Sequence, residues 1–495
     1  MSKKMTNLRT DLENICGSTR VHDDEQTLDT YSSDQSFVAP RRPDCVVYAE
    51  SAAEVQQIIR LANQNKFPVI PFSSGLNFHG ATIPDHGGVI VDLSRMNQIL
   101  RFDVQNWYAI VEPGVTYGQL QDQALSRGFR VMIPFGAAPR RSVLSSYLER
   151  DPVLAAPSFE YGNFLIMDME IILPTGEIFR TGQWSSGGEP GGPMGPVRNS
   201  LFRLWTAAQG TLGIVTKMGV QITPRIEEQM VFFICFDNLS EAVEPLLHIQ
   251  RREIGMECFL LNRFNVAALL SAEWRIPAAF PARPQHSESF EQLKKTLPAW
   301  IMVICIRGGV LKPAQKIAYE VEALKEACSQ LNCVAEDSFL FVAGAQRIIM
   351  NELLRPFSIL KKFNFRGSVH DLNFKSPLRR IADMENIIKS ACDIGGYDTA
   401  HIGGYILPLE RGRAIHCEFD LHSNPADQAE TAQVRRVWMQ ASEALMRAGA
   451  FFDRPYGAWA PMVYQRSGVY TEKLKEIKKE LDPHNILNPG KLCFQ

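Results

Sequence analysis

Residues 69–80 read Val69-Ile-Pro-Phe-Ser-Ser-Gly-Leu-Asn-Phe-His-Gly80. A strand-length apolar run empties into a loop of two Ser, two Gly and one Asn. A diphosphate is gripped by converging backbone N–H groups, and only small or left-handed-tolerant residues bring the backbone that close. Gly75, Asn77 and Gly80 suit that geometry; taken alone, the same composition describes a plain turn. The flanks are a strand at Asp44–Ala49 and a helix over Ser51–Asn65. Ser51 caps that helix, and Val55, Ile58, Ile59 and Ala62 share one face. Phe67–Phe72, Val89–Asp92, Trp107–Val111 and Leu165–Leu173 read as further strands. Tyr117–Arg127 reads as a helix stopped by Gly128.

Farther along, Gln183–Pro196 is a Gly/Pro/Ser-rich excursion. Asn199–Thr211 is expected to be helical and to lead into a strand at Gly213–Ile222, with Pro224 marking a boundary. Beyond it, strands are expected at Met230–Phe236, Glu257–Leu261, Trp300–Arg307, Tyr397–Leu407 and Ala414–His422. Helices are expected at Leu239–Arg252, Pro313–Gln330, Leu378–Ile394 and Asp427–Ala448. That order predicts an α+β fold: an antiparallel, ferredoxin-like sheet backed by helices, following a separate first domain. Residues 265–297 show the least pattern and are expected to form a loop or lid.

At 495 residues the chain exceeds one compact core, so two domains are expected. The division is 1–223, then 224–455, then a C-terminal segment 456–495 returning to the first domain. With 45% apolar and 21% charged residues and a net charge of -2, nothing marks a nucleic-acid partner. No apolar run is long enough to span a bilayer, and Met1–Gly17 lacks an apolar signal core. Ten scattered cysteines without a CxxC pair point to reduced thiols in the cytoplasm and to no metal site.

Several segments, in order, resemble the flavin-binding domain of the vanillyl-alcohol oxidase and p-cresol methylhydroxylase (PCMH-type) family. They are the 69–80 loop, Gly88-Val-Ile-Val-Asp-Leu-Ser-Arg-Met-Asn97, Val111-Glu-Pro-Gly-Val-Thr-Tyr117, and Ser142-Val-Leu144 with Glu149-Arg150. Met169–Gly182, Gly213-Ile-Val-Thr-Lys-Met-Gly219 and the tail Asp482-Pro-His-Asn-Ile-Leu-Asn-Pro-Gly-Lys491 complete the set. The resemblance implies FAD bound by a two-part α+β domain, with no Rossmann motif needed. It places cofactor contacts at Pro71, Ser73, Ser74, Gly75, Leu76, Asn77, Phe78 and Gly80. It adds Pro113, Gly114, Gly136, Ser142, Ser145 and Ser146, then Gly213, Ile214, Val215, Arg454 and Lys491. It implies a small-molecule substrate, an electron-acceptor protein as a possible partner, and a homodimer or hetero-oligomer.

In this family a substrate C–H bond loses hydride to the flavin, and an arginine stabilises the growing negative charge. Arg454, in Phe452-Asp-Arg-Pro-Tyr456, falls at that arginine. The tyrosine that would precede it is replaced by Asp453, and the tyrosine of the phosphate loop falls near His79. An aspartate there repels a phenolate, so an uncharged substrate is expected, with His79 and Asp453 as an acid/base pair. The alternative is a D-2-hydroxy acid with electrons passed to a protein partner, although the His-x-Gly-Asp-Gly-Asn-x-His pattern of such relatives is absent. Noncovalent FAD is expected: His416 lies near, but not at, the linking histidine of one branch, and Phe363 stands in the region of the linking tyrosine of another. In Ala414–His422, His416, Glu418, Asp420 and His422 share one face. That face is either solvated, the preferred reading for Asp420 and His422, or a polar wall over the flavin with His416 or Glu418 as base.

Overall fold

The strand Val69–Phe72 is the edge of a four-stranded sheet, beside Val89–Asp92, then Cys45–Tyr48, then Val21–His22. Both pairings next to Val89–Asp92 are parallel, so the loop after Phe72 leaves the carboxyl end of the sheet. The computed structural model describes residues 3–76, 79–158, 165–190, 201–271, 288–339 and 341–494. The helix Ala52–Asn65 crosses over between parallel strands, with the Ser51 side chain accepting from Glu54 N and Val55, Ile58, Ile59 and Ala62 buried. A second, antiparallel sheet runs Ile99–Asp103, Tyr108–Val111, Ile214–Gln221, Ile166–Ile172, Ile178–Arg180. Together they form the two-part α+β unit expected of a PCMH-type fold.

The third layer is a six-stranded antiparallel sheet in the order Gln229–Phe236, Trp300–Arg307, Glu257–Asn262, Gly403–Leu409, Ala414–Ser423, Ser368–Ser376. Its outer face packs Ile304, Leu260, Ile406, Phe419 and Phe374 under the helices Val243–Arg251, Pro313–Gln330, Ile381–Gly395 and Gln428–Arg447. Its inner face joins the core of the second sheet through Phe259, Leu261, Tyr405 and Leu407. Arg130 of the first unit reaches Glu257 at 2.8 Å, and Arg307 holds the other carboxylate oxygen at 2.8 Å. The chain end also returns to the first unit. Val69 N donates to Ile486 O and Asn488 N to Val69 O, and Asn488 Nδ2 donates to the carbonyls of Ala81 and Gln209.

Four expectations change. Asn199–Thr211 is helical only as a short 3-10 turn, Leu201–Leu204. Ala207, Gln209 and Gly210 then take positive φ values of 56°, 49° and 70°, which ends any helix there. Arg263–Leu270, inside the stretch read as a loop or lid, is a helix capped by Asn262, with Phe264 through Leu270 buried. A helix buried on every side has no amphipathic period to detect. Glu288–Thr296 is also helical, and 272–287 lie outside the described residues. The strand expected from Tyr397 begins only at Gly403, after a turn at Thr399–His401. Ser368–Ser376, which carried no strand expectation, closes the sheet.

Candidate active site

Three backbone segments enclose a cavity with about 880 Å³ of empty space. They are the loop after Phe72, the start of the helix Val143–Leu148, and the turn from Ala208 into the strand Ile214–Gln221. Close backbone approach is built in. Gly75 has φ +63°, and a Cβ there would lie 2.5 Å from the Phe72 ring. A Cβ on Gly210 would lie 2.3 Å from Pro71 Cγ. Ser142 caps the short helix and donates its Oγ to Pro113 O at 2.6 Å, which ties the two turns together.

Pro71, Ser73, Ser74, Gly75, Leu76, Pro113, Ser145, Gly213, Ile214 and Val215 line this cavity. Gly80, Gly114, Ser142, Ser146 and Lys491 line neither this cavity nor the next. Gly80 N donates to Asp34 at 2.8 Å, and Gly114 packs where a Cβ would meet Ser94 O at 2.3 Å. Ser146 Oγ donates to Asp151 at 3.1 Å, and Lys491 pairs with Asp85 at 3.1 Å. These five brace the walls. Asn77 and Phe78 lie outside the described residues. Gln209 and Trp205 are wall residues that the sequence pattern did not single out. Both polar atoms of the Gln209 side chain are buried without a protein partner, which leaves them available to a bound polar molecule.

A second cavity, with about 860 Å³ of empty space, shares Leu76, Arg141 and Glu149 with the first, so the two adjoin. Gly136 and Arg454 line it. One side is apolar, with Pro134, Phe135, Leu360, Phe363 and Val369. The other is the inner face of the large sheet. Register sets Lys375 beside His416, Asn373 beside Glu418, and Asp371 beside Asp420. The face of Ala414–Ser423 preferred as solvated is therefore interior: Asp420 is 0% and His422 1% exposed. Under the cavity the strand keeps His416, Asp420 and His422 buried, while the Glu418 side chain stays 23% exposed. Asp420 and Tyr405 line this second cavity, and Tyr405 Oη and one Asp420 oxygen are buried there without a protein partner.

Charge is matched side chain by side chain. Asp151 takes Arg141 at 2.5 Å and also pairs with Arg454, whose other nitrogen donates to Asn373 Oδ1 at 3.1 Å. Burial pushes Asp151 up, but Arg141 and Arg454 outweigh it and hold the carboxyl below its usual range. Lys362 reaches Asp420 at 2.8 Å and Glu418 at 3.3 Å. Burial raises Asp420 above the usual carboxylate range despite Lys362. Burial raises Glu149, at the junction of the cavities, to about 7. His79 pairs with Asp371 at 3.7 Å, not with Asp453; Asp453 instead meets Lys375 at 3.3 Å. The carboxylate paired with His79 is thus on a strand the sequence did not reveal. The described residues contain no group of three His, Cys, Asp or Glu side chains arranged to hold a metal, and no described helix is long and apolar enough to cross a membrane.

Residues 43–182 match the family described as "FAD binding domain", and 459–492 match "FAD linked oxidases, C-terminal domain". The 4-cresol dehydrogenase [hydroxylating] flavoprotein subunit of Pseudomonas putida is 26% identical over 92% of this chain and 88% of its own length. Glycolate oxidase subunit GlcD of Bacillus subtilis is 23% identical over 93% and 91%. The crystal structure of p-cresol methylhydroxylase with substrate bound superposes with a TM-score of 0.83 at 20% identity, covering all of this chain and 98% of that one. The first cavity fits FAD on its own terms. A glycine-shaped cradle meets the strand exit, apolar walls flank it, and Gln209 offers an unengaged amide.

Proposed function

Because the chain is an FAD-linked oxidoreductase with a PCMH-type fold, we propose that it removes hydride from a benzylic, allylic or alcohol carbon of a small, uncharged substrate in the second cavity. FAD in the first cavity supplies the two-electron acceptor. Charge balance carries this reading. Arg141 and Arg454 already bracket Asp151, and Lys362 already bridges Asp420 and Glu418. A carboxylate substrate has to compete with Asp151 for its arginines; a neutral hydroxyl needs only hydrogen bonds, for which Tyr405 Oη and Asp420 Oδ1 stand ready. Phe135, Leu360, Phe363 and Val369 hold an apolar body and exclude water. Glu418 and the His79–Asp371 pair border the same space as acceptors for a hydroxyl proton. Arg454 stabilises charge that grows during the reaction. The electrons pass on to oxygen or to a protein partner.

A second reading, oxidation of a D-2-hydroxy acid, is favoured by the likeness to the glycolate oxidase subunit. One experiment separates the two. The yellow protein is mixed anaerobically with neutral benzylic and allylic alcohols, and separately with D-lactate and glycolate. Bleaching of the flavin absorbance by a neutral alcohol, with the hydroxy acids inert, is the expected result. Bleaching by the hydroxy acids alone overturns it.

A further inference from the structure

Lys375 lies on the strand Ser368–Ser376 beside His416 and is 7% exposed. Its Nζ is 2.9 Å from His416 Nδ1 and 3.3 Å from Asp453 Oδ1. An ammonium carries three donors and no acceptor. A contact that short with a ring nitrogen therefore requires Nδ1 to be bare. Burial, reinforced by the charges of Lys375 and Arg454, pushes His416 well below its ordinary value, so the ring is neutral. A neutral imidazole with a bare Nδ1 carries its proton on Nε2. Nε2 faces Glu418 Oε2 at 3.6 Å, so its proton is directed at that carboxylate. The other oxygen of Glu418 meets Lys362 at 3.3 Å.

We propose that Lys375 is a positioning residue: its ammonium fixes the tautomer of His416 so that Nε2–H is presented to Glu418, leaving Glu418, not His416, as the proton acceptor bordering the substrate cavity. The order is Asp453, Lys375, His416, Glu418, with each group orienting the next. Burial, reinforced by Arg454, lowers the ammonium to about 8, and the pull of Asp453 keeps it from falling further, so Lys375 carries its charge at neutral pH. His416 thereby becomes a donor and is a poor nucleophile toward any ligand in the cavity. The assignment of Glu418 as acceptor rests on the reading of the second cavity as the substrate chamber; the tautomer does not.

Nitrogen NMR of the holoprotein labelled with ¹⁵N-histidine tests it, with the His416 signals identified by their loss in His416→Gln. The expected result is an unprotonated-type Nδ1 and a protonated-type Nε2 for His416 at neutral pH. In Lys375→Met the two tautomers should mix or exchange, and Lys375→Arg should restore the original one. A protonated Nδ1 in the unaltered protein overturns the proposal, as does an unchanged tautomer in Lys375→Met. Should Lys375→Met fail to fold, the spectrum of the unaltered protein decides alone. No substrate is present, so failure of this proposal is distinct from failure of the substrate assignment.

Discussion

Arg454→Met is expected to lower kcat by about 10²–10³-fold, the usual cost of removing one preorganised charge donor from an active site. Arg454 is buried and forked, with one arm on Asp151 and the other on Asn373. It lines the second cavity only, so the FAD content of the variant should stay that of the parent. Asp151 keeps Arg141 as a counter-charge, which limits the structural damage. Arg454→Lys should recover only part of the rate, since a point charge does not bridge two acceptors as a planar fork does. Turnover with a neutral alcohol that bleaches the flavin, measured beside FAD per chain, checks this. Unchanged turnover, or a loss that only follows lost FAD, contradicts it.

Glu257→Gln is expected to destabilise the protein by about 3–5 kcal/mol, because it leaves two arginines facing each other without a buried counter-charge. Glu257 is 1% exposed and joins Arg130 of the first unit to Arg307 of the large sheet. Burial raises its carboxyl, but Arg307 and then Arg130 outweigh that and bring it to about 2. The folded value lies below the unfolded one. This contribution is therefore fully present above about pH 5 and fades as pH falls toward 2. Thermal unfolding should show the parent losing part of its margin over that window, with the variant flatter there. Replacing Arg130, Glu257 and Arg307 together by methionine should restore most of the loss. A Glu257→Gln variant as stable as the parent contradicts the argument.

The tight loop after Phe72 was legible because its requirement is a backbone one. Positive φ at Gly75 and Gly80 leaves a glycine signature in the sequence, whereas Gly210, which packs against Pro71 from a distant turn, carries none in that loop. The alternation of Ala414–Ser423 was legible too, but its meaning was not. A polar stripe facing water and a polar stripe facing a cavity have the same period. Asp371, Asn373 and Lys375 were missed because their alternation with the buried Leu372 and Phe374 lasts only five residues. Before it the pattern inverts: Val369 faces the second cavity with Asp371, while His370 is buried on the outer face against Phe37 and Ser423. So short a run, inverted at one end, is a weak strand signal. Glu257 likewise looks like an ordinary strand residue until Arg130, 127 positions earlier, is folded against it.

The account depends most on FAD held without a covalent bond behind the loop at Gly75. The direct measurement is the FAD released per chain when the purified protein and Gly75→Val are denatured side by side. A β-branched residue at φ +63°, with its Cβ driven into the Phe72 ring, cannot keep the cradle. The predicted result is about one free FAD per parent chain and less than about a tenth of that from the variant. Flavin that stays on the denatured chain, or equal flavin in both proteins, contradicts it.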